Sequence, residues 1–219
     1  MPGVADLLCL GAPPERAKAV CVFVHGRGQS PEEMAEAVLS RVSAADVAFA
    51  LPRAGAQTWY AARAVDPLTP KTREELGASR GDLARVLNEV RAEAPGRPLV
   101  LAGFSQGACL SLELAFAGGT APDALVAFTG CRVGAAGDER PDALPAGLPV
   151  YLSAGSDDPW IPVAAFAEAA AELGRAGAAL RADVFPGRAH EVGGPEIAVL
   201  EATLADLAAG RRPGFGAAR

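Results

Sequence analysis

Histidine is nearly absent from this chain of 219 residues, which has only His25 and His190. Chemistry that needs an imidazole base therefore has two candidates. The four cysteines (Cys9, Cys21, Cys109 and Cys131) show no CxxC or metal-ligand spacing. They read as reduced packing residues rather than as a disulfide or redox pair. No stretch approaches the roughly 18 apolar residues of a membrane span. The N-terminus lacks the basic segment and the apolar run of a signal peptide. These absences point to a cytoplasmic protein with no stable membrane insertion. A formal net charge of −6, with arginine and lysine scattered, argues against nucleic acid as a partner. Oligomeric state leaves no mark on the sequence.

Half of the residues are hydrophobic, and the length suits one domain over 1–219 with its core at about 18–208. Short apolar runs at 19–24, 47–51, 98–102, 124–128, 148–153 and 180–185 read as strands. Most lack period-two alternation, as buried parallel strands do. Residues 4–10 add an antiparallel edge strand. Helical patterns fall at 31–41, 79–94, 106–117, 163–175 and 195–209; the first has Ser30 as N-cap and Pro31 at the first helical position. The alternation predicts a mainly parallel sheet with helices on both faces. Residues 52–78 are irregular and long for a connection, which suggests a binding surface. The tail from 210 to 219 reads as frayed.

The segment Gly103-Phe104-Ser105-Gln106-Gly107 follows a buried strand and opens a helix of small residues. It resembles the nucleophile turn of α/β-hydrolases, where a sharp turn projects a serine hydroxyl above the sheet. The helix N-terminus adds partly positive N–H groups near a developing oxyanion. Serine needs an adjacent base. In this fold the order is serine, acid, histidine, and only His190 follows that order. His25 sits after the first strong strand, in a loop whose backbone can supply an oxyanion N–H. The donors are read as the backbone N–H groups of Arg27 and Gln106. The acid should follow the next-to-last strand, where Asp157 and Asp158 compete. Asp158 is preferred because Pro159 restricts it to extended or turn geometry. Glu191 adjoins the base but is set aside.

Several segments together resemble the phospholipase/carboxylesterase family, which includes the acyl-protein thioesterases. They are His25-Gly26-Arg27-Gly28, Gly103 to Ala108, Gly155 to Pro162, and His190-Glu191. The resemblance implies a capless α/β-hydrolase core. It also implies cleavage of small-molecule carboxylic esters or thioesters without a metal or organic cofactor, and it sets Asp158 in the family's acid position. Arg27 stands where the family often has an apolar residue, and Trp160 where a small aliphatic is common. The region that would form a long acyl channel has no sustained apolar run. Trp59, Tyr60 and Trp160 therefore suggest a short, aromatic-lined pocket, and Arg27, Arg53, Arg63 and Arg132 lie on loops that could face it. Competing readings are lysophospholipase or thioesterase action on long acyl chains, dienelactone-hydrolase-like lactone cleavage, and a non-catalytic binding fold. Cys109, four residues past the serine, counts against the cysteine nucleophile common among dienelactone hydrolases.

Overall fold

The computed structural model describes residues 4–214. Seven strands form one sheet: β1 (Val4–Gly11), β2 (Ala19–Val24), β3 (Val47–Ala54), β4 (Leu99–Phe104), β5 (Ala124–Phe128), β6 (Pro149–Gly155) and β7 (Ala179–Phe185). Their spatial order is β1-β3-β2-β4-β5-β6-β7. Only β1 runs antiparallel, pairing Leu8 with Leu51 of β3. The other neighbours are parallel. Parallel strands need crossovers, and four of them run through helices: α1 (Pro31–Ala37), α2 (Pro70–Glu93), α3 (Gln106–Ala117) and α4 (Val163–Arg175); β5 passes to β6 through a loop, and α5 (Gly194–Ala208) follows the last strand. This is the α/β-hydrolase fold.

Each central strand serves both faces of the sheet. On β2, Val20, Val22 and Val24 join the cluster that packs under α2, α3 and α4. Ala19, Cys21 and Phe23 join the cluster under α1 and α5. Burial on both faces is why β2, β4 and β5 read as continuous apolar runs instead of alternating. The strand at the sheet edge behaves differently, since β7 is only partly buried.

Local chemistry sets the helix starts. Ser30 accepts from the Glu33 N–H at 3.2 Å and its own N–H donates to Glu33 Oε2 at 2.7 Å, a reciprocal cap for α1. Thr69 caps α2, accepting from the Thr72 N–H at 3.1 Å, with Pro70 at the first helical position. The helix expected from residue 79 thus begins at Pro70, and the irregular segment shrinks to 55–69. The first turns of α2 are polar (KTREE), so the apolar period there is too weak to reveal the helix. The tail is also better anchored than expected. Arg211 pairs with Asp206 at 2.8 Å, Arg212 donates to the Gly147 carbonyl and Pro213 is buried; the rest of that expectation, at 215–219, lies outside the described residues. All four cysteines are free, and Cys9 is exposed on β1 rather than packed.

Candidate active site

Ser105 joins β4 to α3 at φ 54 and ψ −119, a left-handed backbone conformation that is strained for a residue with a side chain. Close packing around the turn holds it there. A Cβ on Gly107 would stand 2.2 Å from the Val24 carbonyl oxygen, and one on Gly103 would stand 2.6 Å from the Gly107 backbone. The strand and helix can approach this closely only because both positions are glycine.

The loop after β7 brings His190 to the serine. The Ser105 hydroxyl lies 2.7 Å from His190 Nε2. On the other side of the ring, Nδ1 lies 2.6 Å from Asp158 Oδ2. With the ring neutral and its proton on Nδ1, Nε2 accepts from the hydroxyl and Nδ1–H donates to the carboxylate. The Asp158 side chain is fully buried. Its second oxygen accepts from the N–H groups of Trp160 at 2.8 Å and Ile161 at 2.9 Å, which fixes the carboxylate plane. Asp157 lies apart from the ring: it is exposed and accepts from the Ser156 hydroxyl at 2.8 Å. The Phe104 ring packs 5.0 Å from the imidazole, centre to centre.

His25 lies away from this chain of hydrogen bonds. Its Nε2 accepts from the Ala54 N–H at 3.0 Å, so Nδ1 carries the proton and donates to the Gly26 carbonyl at 2.7 Å. Burial, the largest influence, holds its pKa below the ordinary value. The ring thereby ties β3 to the loop after β2. That loop passes beside the serine: a Cβ on Gly26 would be 3.3 Å from Ser105 Cβ. Gln106 is the first residue of α3, so its N–H has no acceptor within the helix.

The serine opens on a cavity of about 430 Å³ lined by Arg27, Tyr60, Arg63, Trp160 and Ile161 among others. Trp160 is 61% exposed at its rim. Trp59, expected in the lining, is instead buried, with its indole N–H donating to the His25 carbonyl at 2.9 Å and its ring 5.0 Å from the imidazole. A neighbouring loop carbonyl captured the indole N–H, and only tertiary contact shows this. Two of the four loop arginines also lie elsewhere. Arg53 pairs with Glu32. Arg132 is buried, pairing with Glu113 at 2.7 Å and stacking on Phe116. Among the described residues, no group of three or more His, Cys, Asp or Glu side chains could hold a metal ion.

Sequence reasoning missed two supports. The Gln106 side chain donates from Nε2 to the Tyr60 carbonyl at 2.7 Å and accepts the Trp59 N–H at 3.1 Å, pinning the 55–69 loop over α3. Glu196, fully buried in α5, accepts from Arg188, from the Ser153 hydroxyl and, at 2.7 Å, from the Gly193 N–H, anchoring the loop that carries His190. Glutamate three residues after Gly193 is a capping spacing and was the available signal.

A family model described as phospholipase/carboxylesterase matches residues 8–207. The chain belongs to the phospholipase/carboxylesterase family. Among solved structures, a phospholipase/carboxylesterase from Dyadobacter fermentans DSM 18053 is 29% identical, with a TM-score of 0.80 over 91% of this chain and 96% of that one. Esterase PE8 is 22% identical, with a TM-score of 0.76 over 94% and 99%. A carboxylesterase from Mesorhizobium loti is 19% identical, with a TM-score of 0.71 over 90% and 92%. The last two show the shared fold. No curated protein sequence matches. Among the described residues, no helix of this family member is long and apolar enough to cross a membrane.

Proposed function

We propose that this protein is a carboxylesterase-type serine hydrolase acting on small soluble esters through an acyl-enzyme. The observation that carries this reading is the unbroken contact chain Ser105–His190–Asp158, with the serine open to a cavity. His190 Nε2 takes the hydroxyl proton while Ser105 Oγ bonds to the ester carbonyl carbon. The oxyanion is held by the backbone N–H groups of Arg27 and Gln106, aided by the positive end of α3. His190 then gives its proton to the leaving alcohol as the carbon–oxygen bond breaks. Water, deprotonated by the same nitrogen, releases the acid and restores the serine. Asp158 keeps the imidazole in the right tautomer and stabilises the imidazolium.

A cavity of about 430 Å³ is near the small end of ligand pockets, which favours short acyl chains. Fluorophosphonate labelling and rates on nitrophenyl esters and thioesters of graded chain length test the proposal. Labelling and turnover lost in Ser105→Ala, with a short-chain preference, is the expected result. A wild-type protein that neither labels nor turns over any ester overturns the hydrolase reading. Preference for chains of about ten carbons or more overturns the small-substrate part.

A further inference from the structure

Acidic residues outnumber basic ones in this chain, 26 to 20. The cavity at Ser105 reverses that balance, since its lining includes Arg27 and Arg63 and no carboxylate. Arg27 donates to the Ala61 carbonyl at 2.9 Å, to the Ala62 carbonyl and, at 3.4 Å, to the Thr58 hydroxyl. Its plane also faces the Tyr60 ring, 5.9 Å from the centre. Every one of these partners is neutral. They hold the guanidinium in place, and among the described residues no carboxylate forms an ion pair with it; Asp66, bound to Arg63, feels its charge only at longer range. Part of its donor fork is also free, because those contacts occupy one of its terminal nitrogens fully and the other once. Arg63 differs, because Asp66 accepts from it at 2.8 and 3.0 Å and offsets its charge.

We infer that this cavity selects esters bearing an anionic group, a carboxylate or a phosphate, with Arg27 as the chief cation and Arg63 as a secondary one. The inference rests on the ester-hydrolase reading of the same site. A guanidinium fork suits both anions. Both side chains are exposed at the mouth, so the effect is a preference sensitive to salt rather than an absolute requirement.

The test is the ratio of kcat/KM for an anionic ester to that for a neutral one. Monoethyl glutarate and acetoxyethyl phosphate serve as the two anionic arms and ethyl butanoate as the neutral one, all followed by acid release at constant pH. For each anionic arm that fits, the ratio should fall as salt rises from 20 mM to 500 mM. It should drop about fivefold in Arg27→Gln and less in Arg63→Gln, the range of an exposed charge pair. It should rise in Asp66→Asn, which removes the carboxylate that offsets Arg63 while keeping every residue of the lining. Whichever arm responds identifies the anion. Turnover of the neutral ester with ratios that ignore salt and all three substitutions overturns the inference and leaves the hydrolase reading standing. No turnover of any ester that depends on Ser105 overturns both.

Discussion

The side chain of Gln106 reaches across to the Tyr60 carbonyl, 2.7 Å from Nε2. One residue thus offers its backbone N–H at the start of α3 and braces the loop opposite through its side chain. Gln106→Ala removes the brace and keeps the backbone N–H. The expected result is a loss of about 1–2 kcal/mol in denaturant stability and a raised KM, as Tyr60 and its neighbours loosen around the cavity. Unchanged stability and kinetics would show that the loop is held by other contacts.

Asp158 and Asp157 offer a sharp comparison. Asp158→Asn keeps the shape but disturbs the imidazole tautomer, and kcat should fall about 10⁴-fold. Asp157→Asn acts on an exposed turn and should stay within a few-fold of wild type. Steady-state rates on one good ester decide between them, and comparable losses in both would contradict the proposed role of Asp158.

Glycine substitutions should divide by the space around each Cβ. Gly107→Ala forces a carbon to within 2.2 Å of the Val24 carbonyl oxygen. It should destabilise by more than about 3 kcal/mol or prevent folding. Gly81→Ala, in α2, meets nothing within 4 Å and should stabilise by about 0.5–1 kcal/mol through helix propensity. Urea unfolding of both variants measures the contrast.

Arg132 and Glu113 form an ion pair with side chains only 2% and 1% exposed, extended through Glu172 and Arg140. Arg132→Met strands the Glu113 carboxylate in the interior and should cost about 3–5 kcal/mol. The double variant Arg132→Met, Glu113→Leu removes both buried charges and should recover much of that loss. Equal instability of the single and double variants would mean that packing of the guanidinium on Phe116, not charge balance, sets the cost.

Local sequence was enough for the sheet and for the turn at Ser105. Strands buried on both faces need continuous apolar residues, and β2 and β5 show this in Ala19–Val24 and Ala124–Phe128. A sharp strand-to-helix turn needs small neighbours, and Gly103 and Gly107 show that too. Chain order, with only two histidines, singled out His190 as the partner to consider. Tertiary structure alone decided which loop side chains meet the cavity. Trp59 and Tyr60 are adjacent and equally aromatic, yet only Tyr60 lines it, because the Trp59 indole is taken by the His25 carbonyl. Arg27 and Arg132 look alike in sequence, yet one faces the cavity held by neutral partners and the other is buried against Glu113. Strand and turn signals come from backbone requirements that neighbours in sequence satisfy. The destination of a long side chain depends on partners tens of residues away, and only the folded chain brings these within reach.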